Sequence, residues 1–310
     1  MISDKAWKKS SAWSNAVFRV GKDCMNSNDR WAQHRNRALQ TAAALLVCLL
    51  AGIASRSTPL TALSQSEDSQ TGKRSDPRKG DQPEAEFHMA RMIYKTFGGA
   101  GSHGIIQPWW AVDYPFAEEH FLAALRRLTK LSVADDSRHL ELTDERLFDY
   151  PFLFMQQPGN GNWRPTDQDA ERLREYLERG GFLLVDDMHG EYEWAIFEAA
   201  IRRVLPDRPI VEIPDDDPLM NVFFNLGDRI QIPGLRHLVL YRDGQIGTRM
   251  EGPPHWRGIY DDQGRLEVAI NFNMDMGDAW EHADDPWYPA PMTGQAYRLG
   301  VNYVIYAMTH

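Results

Sequence analysis

The sequence predicts an α/β protein with a mainly parallel sheet and helices on both faces, preceded by a single N-terminal hydrophobic helix. Three observations carry this. From residue 85 onward, short apolar runs alternate with segments of helical periodicity, as strand–helix–strand units require. Two of those runs, Phe152–Gln156 and Phe182–Val185, are apolar at nearly every position, as strands covered on both faces should be. Ahead of them lies one apolar stretch, Ala38–Ala54, in polar surroundings.

That stretch reads ALQTAAALLVCLLAGIA, broken only by Gln40 and Thr41. At ~1.5 Å per residue, a helix of this length spans roughly 26 Å, slightly short of the ~30 Å hydrocarbon core. Residues 1–37 form a basic tail, with Arg30, Arg35 and Arg37 closest to the stretch. The positive-inside rule places this tail in the cytoplasm and the main domain outside. Two exported readings compete: a single-pass bacterial membrane anchor over residues 38–55, or a signal peptide cut near Gly52-Ile53-Ala54 that releases a secreted or periplasmic protein. The long tail ahead of the stretch favours the anchor. Residues 56–84 are rich in Ser, Thr, Gln and Asp and include Pro77-Arg78-Lys79-Gly80, so they read as a flexible linker, which argues against a buried core helix. Cys48 follows Val47, not the small residue that a lipidation motif needs.

The folded domain is expected over 85–310. Phe87–Phe97 alternates like a strand and ends in the glycine-rich loop Gly98–Gly104. Pro115 opens a helix over Phe116–Leu128, in which Phe121, Leu122, Leu125 and Leu128 recur at helical spacing. Leu131–Ala134 reads as a short strand, and Phe152–Gln156 as a buried one. Thr166 caps the next helix, with Asp169 three residues on, and Gly180-Gly181 ends it. Phe182–Val185 then runs into Asp186-Asp187. A helix follows over Glu193–Leu205, then strands at Ile210–Ile213, Leu238–Tyr241 and Leu266–Asn273, and a C-terminal helix marked by Ala296, Leu299, Gly300, Tyr303, Val304 and Ala307.

Charge and cysteine content exclude several functions. The chain carries 34 Lys+Arg and 44 Asp+Glu, but residues 1–80 are net +7 and residues 81–310 net −17. A folded part of that sign does not suit nucleic acid. Both cysteines, Cys24 and Cys48, precede residue 80, so the folded part has no disulfide, cysteine–zinc site or thiol nucleophile.

Several phrases occur together in order: Trp109-Trp110-Ala-Val-Asp113-Tyr-Pro115; Phe148-Asp-Tyr150-Pro151-Phe152; Leu173-Arg174 through Gly180-Gly181 to Val185-Asp186-Asp187; Gly264-Arg265; Asn273-Met-Asp275-Met-Gly277; and Ala296-Tyr-Arg-Leu-Gly300-Val-Asn302. The set resembles the bacterial family called domain of unknown function 4159, over essentially all of residues 85–310. The resemblance implies a flavodoxin-like sheet of the class I glutamine-amidotransferase type, and no established activity. Where members of that family often carry His-Pro, this chain has Asp217-Pro218.

In an amidotransferase-type fold the nucleophile sits on the turn after a central strand. Here that position reads Asp186-Asp187-Met188-His189-Gly190, without cysteine or serine, so a thioester route is excluded. Asp186, Asp187 and His189 are candidate ligands for a divalent cation, or the two aspartates an acid–base pair, at the strand ends where open α/β sheets bind ligands. The plainer alternative is that one aspartate caps the next helix and the other pairs with an arginine. Trp110 and Asp113, just before a helix, are candidates for stacking on a sugar ring or a partner side chain, or for plain lid packing. Gly99–Gly104 matches G-x-G-x-x-G but is not followed by a helix, so no nucleotide cofactor is expected. Asn271–Asp285 offers Asn273, Asp275, Asp278, Glu281 and His282 as ligands, or is a solvated acidic loop. Asp215-Asp216-Asp217 reads as a charged turn, and His120 and His237 as surface or strand-end residues.

Two functional readings follow. In the first, a membrane-tethered, non-enzymatic module binds a partner protein or small ligand at its strand ends and needs no cofactor. In the second, a hydrolase acts on a sugar or cell-envelope substrate, with Asp186, Asp187 and His189 as cation ligands or acid–base groups. They differ in what they require of those side chains. The hydrolase needs Asp187, His189 and at least one further carboxylate to converge within metal-bonding reach at the floor of a pocket, and outward-pointing or arginine-paired carboxylates leave only the binding module.

Overall fold

The computed structural model describes residues 85–102, 105–240 and 245–310. The basic tail, the apolar stretch at 38–55 and the linker at 56–84 lie outside the described residues. Among the described residues, no helix is long and apolar enough to cross a membrane.

The strands in chain order are β1 (Ala90–Ile93), β2 (Gly99–Ser102), β3 (Ile105–Pro108), β4 (Arg138–Glu141), β5 (Phe152–Gln156), β6 (Phe182–Met188), β7 (Val211–Glu212), β8 (Leu238–Leu240), β9 (Ile246–Thr248), β10 (His255–Tyr260) and β11 (Leu266–Phe272). The helices are α1 (Phe116–Leu128), α2 (Asp167–Glu178), α3 (Gly190–Val204), α4 (Met276–Glu281) and α5 (Ala290–Thr309). Seven strands form one sheet in the order β4-β1-β5-β6-β11-β10-β7, and β6 lies at its centre. The neighbours from β4 to β11 are all parallel, whereas β10 runs antiparallel to both β11 and β7.

Strand periodicity divides the apolar side chains between two cores. Phe152 and Phe154 of β5 and Phe182 and Leu184 of β6 face one side, where they pack with Phe121 of α1, Trp280 of α4 and Leu299 and Tyr303 of α5. Leu153, Met155, Leu183 and Val185 face the other, against Leu173 and Leu177 of α2 and Phe197 and Ile201 of α3. The expected α/β class, with a mainly parallel sheet and helices on both faces, is what the chain forms.

Local sequence explains the element ends. At α2, Thr166 accepts from the Asp169 backbone N–H at 3.1 Å and Asp169 accepts in return from the Thr166 N–H at 2.9 Å, which satisfies orphan donors at the helix start. Gly180 takes φ +100°, a conformation that stops the helix and turns the chain into β6.

Four expectations need correction. Leu131–Ala134 is not a strand: Val133 makes a single bridge to Phe87, and the pairing is lost through Asp135-Asp136 before β4 resumes it. The glycine-rich segment is not wholly loop, because Gly99–Ser102 pairs with Ile105–Pro108 as a hairpin. β6 continues through Asp186 and Asp187 to Met188, so those aspartates belong to the strand, and α3 begins three residues earlier than the apolar spacing indicates. Asn271–Asp285 is not a solvated loop. It contains the end of β11 and the short helix α4, capped by Asp275, whose side chain accepts from the Asp278 N–H.

One buried group makes stability depend on pH. Glu267, in β11, is buried with Arg208 Nε 3.2 Å from its carboxylate. Burial pushes its pKa from 4.5 up to about 7, against the pull of Arg208 and Arg265. A carboxyl raised in the fold holds its proton more tightly folded than unfolded, so its favourable contribution is full below 4.5 and lost as the pH rises to about 7. Glu267→Gln keeps the neutral form at every pH. Thermal melts should show the variant more stable by ~1 kcal/mol at pH 8, a value reduced because Arg208 is partly solvated, and nearly unchanged at pH 4. Equal shifts at both pH values would contradict this linkage.

Candidate functional site

The parallel strands β1, β5, β6 and β11 point their C-terminal ends the same way, and the segments leaving them supply one buried polar cluster. Asp113 comes from the segment between β1 and α1, Gln156 and Gln157 from the end of β5, Asp186, Asp187 and His189 from the end of β6, and Asn271, Asn273, Asp275 and Asp278 from the end of β11 and the start of α4. The chain leaves β1 to form β4 on one side and returns to form β5 on the other, and such reversals open a crevice at the strand ends.

Backbone conformation singles out the same residues. Among the described residues, five other than glycine have positive φ, and four of them are here: Asp113 at 68°, Gln157 at 51°, Asp187 at 59° and Asn273 at 55°. Asp and Asn tolerate this region better than most residues because their short side chains bond locally. A concentration of such positions is held by the surrounding structure and is characteristic of functional sites.

The two strand-end aspartates have separate roles. Asp186 accepts from Asn271 Nδ2 at 2.9 Å and from the backbone N–H groups of Met276 and Gly277 at 2.7 and 3.1 Å, so it anchors the start of α4 beside β6. Tyr303 Oη in turn donates to Asn271 Oδ1 at 2.7 Å. The capping alternative does not hold as stated: the next helix, α3, starts after His189 without a side-chain cap, and Asp186 instead holds the first N–H groups of α4, whose own cap is Asp275. Burial raises the Asp186 carboxyl to about 7, while the bond from Asn271 opposes the shift.

Asp187 is not paired with arginine. Its Oδ1 lies 2.7 Å from His189 Nε2, and its Oδ2 accepts from Gln157 Nε2 and, at 3.3 Å, from Gln156 Nε2. Gln156 Nε2 also donates to Asp113 Oδ2 at 2.6 Å, so one amide joins the two carboxylates. The Gln156 Oε1 and His189 Nδ1 atoms are buried with no hydrogen-bond partner. The His189 ring packs on His237, with centroids 4.4 Å apart.

Asp187, His189 and Asp275 each bring one ligand atom within 4.8 Å of the others, as do Asp113, Asp275 and Asp278. A third group, Asp278, Glu281 and His282, adjoins them. Burial, followed by the neighbouring carboxylates, pushes Asp113 and Asp275 well above the usual carboxylate range, and burial together with Asp187 raises Asp278. Burial pulls the His189 imidazole down, but the bond and charge of Asp187 carry it above its ordinary value. Arg91, the cation closest to this logic, commits Nε to Glu118 and Nη1 to the carbonyls of Trp110 and Val112. His189 lies beside Asp187 and His282 is 3.9 Å from Asp278, but among the described residues no arginine or lysine pairs with the cluster, which suits shared protons or a metal ion.

Of the residues singled out by sequence, Asp113, Asp186, Asp187 and His189 come together with Asn273, Asp275 and Asp278. Trp110 has other partners: its ring meets His139 edge-on at 5.4 Å, and its carbonyl is held by Arg91. Asp217 caps the turn at Leu219 and accepts from Tyr260 Oη at 2.6 Å, which agrees with its reading as a turn residue. Gln156, Gln157 and His237 were not singled out as ligands by sequence reasoning. The one available signal was the pair of amides at the end of an otherwise apolar strand.

Fold and site together define an α/β protein with a buried acidic centre at the C-terminal edge of a mainly parallel sheet. The chain belongs to the family described as domain of unknown function (DUF4159), whose model matches residues 88–308. No curated protein matches the sequence.

Proposed function

We propose that the domain binds a divalent cation through Asp187, His189 and Asp275 and uses it in hydrolysis. The observation that carries this reading is the convergence of those three side chains, all buried, within 4.8 Å of one another at the strand ends. A mixed oxygen and nitrogen donor set suits Mn²⁺ or Zn²⁺. A cation held there by Asp187, His189 and Asp275 would lower the pKa of a water bound beside it. In the hydrolysis the water oxygen would bond to the substrate's electrophilic centre as that centre's bond to the leaving oxygen breaks, and the proton given up by the water to a protein base would pass on to the leaving oxygen.

The scaffold is proposed to be flavodoxin-like, of the class I glutamine-amidotransferase type. Its five parallel strands, counted in chain order, lie 2-1-3-4-5 across the sheet, which supports that assignment. Residues 38–55 are proposed as a membrane anchor that places the domain outside the cytoplasm, where a sugar or cell-envelope substrate is met. The second reading is a non-enzymatic module that binds a small ligand or a partner protein at the strand ends; the burial of Asp113, Asp186 and Asp187 speaks against their direct contact with a macromolecule.

The test is thermal unfolding of the full chain in mild detergent, with and without metal. Mn²⁺ or Zn²⁺ at a hundredfold excess over Kd should stabilise it by ~2.7 kcal/mol, reversibly on chelation. No rise with Mn²⁺, Zn²⁺ or Ca²⁺ would overturn the cation site. A rise without metal-dependent cleavage of cell-envelope glycan fragments would leave the binding module.

A further inference from the structure

We infer that the site is binuclear: Asp113, Asp275 and Asp278 hold a second divalent cation, and the Asp275 carboxylate bridges it to the first. This rests on the cation reading above and extends it. Asp275 belongs to both ligand trios, and each trio closes within 4.8 Å. One carboxylate shared between two such trios is the arrangement by which proteins hold paired cations about 3.5–4 Å apart.

The Gln156 amide also supports a ligand at the second position. Gln156 is fully buried, and its Nε2 joins Asp113 of the second trio to Asp187 of the first. Its Oε1, on the same amide, is a buried acceptor without a donor, a costly state for a polar atom at the edge of this cluster.

Two close approaches also gather these carboxylates, of which Asp113 Oδ2 accepts from Gln156 Nε2 at 2.6 Å and Asp278 Oδ2 from the Leu235 N–H at 2.8 Å. A Cβ on Gly277 would overlap Asp113 Oδ2 and Gln156 Nε2, so that carboxylate lies directly against helix backbone. A Cβ on Gly234 would come within 2.6 Å of Asp275 Oδ2, 3.0 Å of Asp278 Oδ2 and 3.3 Å of His237 Nδ1. Glycine at both positions keeps these atoms gathered where any side chain would push them apart.

Charge balance favours the pair. Asp113, Asp187, Asp275 and Asp278 carry four negative charges when ionised. One divalent cation compensates two of them, and two compensate all four. Burying uncompensated carboxylates is costly, so the second cation removes the penalty that the first leaves.

The experiment is metal stoichiometry and electron paramagnetic resonance of the full chain loaded with Mn²⁺ alone. Two equivalents and the multiline spectrum of an exchange-coupled pair are expected. Asp113→Asn, which suits the left-handed backbone at that position, should drop the content from two to one and give the six-line spectrum of an isolated ion. His189→Ala should do the same from the other side. One equivalent with a six-line spectrum in the unsubstituted chain would overturn the binuclear site and leave the single-cation reading standing. No bound Mn²⁺ would overturn both.

Discussion

Asp187→Asn is expected to abolish the Mn²⁺-dependent rise in Tm while raising the Tm of the metal-free protein. The two effects have opposite signs and one cause. Asp187 is buried, and its charge lifts the carboxyls of Asp113, Asp275 and Asp278. Removing one charge from such a cluster relieves repulsion, and sites that trade stability for function commonly gain on the order of 1–2 kcal/mol this way. For a domain of this size, that is a rise of about 2–8 °C. The substitution is structurally gentle. Asn is among the residues best suited to φ +59°, its carbonyl oxygen can accept from Gln156 and Gln157, and its amide can donate to His189 Nε2. Asp187→Ala lacks those bonds and should lower stability, which separates charge relief from loss of contacts. Calorimetry with and without Mn²⁺ reads all three proteins. If Asp187→Asn retained the metal-dependent rise, Asp187 would not be a ligand.

The sequence shows much of this fold and less of its site, for a physical reason. Strands buried on both faces must be apolar throughout, so Phe152–Gln156 was legible to the residue, and the capping box at Thr166 and Asp169 fixed the start of α2. β4 and β10 were not legible. Arg138-His-Leu-Glu141 buries only Leu140, and His255–Tyr260 has polar residues next to its apolar ones, because each strand is only partly covered.

Asp186, Asp187 and His189 were visible as chemistry placed after a central strand, and Asp275 and Asp278 as possible ligands with a solvated loop as the alternative. What decides between those alternatives is tertiary position. Asp275 and Asp278 lie in a segment of composition typical of solvated loops, and only the docking of α4, which Asp186 anchors, turns them inward. Gln156 and Gln157 are neutral amides whose role exists only because Asp113 and Asp187 arrive from elsewhere in the chain. Asp186 and Asp187 also show why residue type does not settle role. Adjacent strand residues point to opposite faces, so one secures a helix and the other joins the cluster.

Arg91→Ala is expected to cost ~3–5 kcal/mol, the largest loss foreseen for a single substitution here. Arg91 is fully buried in β1, with Nε 2.6 Å from Glu118 of α1 and the guanidinium over the Phe154 ring at 5.1 Å. Its removal strands the buried Glu118 carboxylate, whose pKa burial already raises, and takes the donor from the carbonyls of Trp110 and Val112. Those carbonyls lie in the segment that delivers Asp113, so the damage should extend to the site. Chemical denaturation measures the first effect, and Mn²⁺ content of the folded variant measures the second, with a fall from two equivalents toward one. Arg91→Met combined with Glu118→Met should recover part of the stability, because no charge is then left unpaired, but not the second equivalent of metal, because the two carbonyls still lack their donor. Arg91→Lys should fall between them: it keeps a charge for Glu118 but lacks the planar fork that reaches the carboxylate and both carbonyls together. Wild-type stability in Arg91→Ala would mean that Glu118 is accommodated without its partner, and that the Asp113 segment is positioned by something other than Arg91.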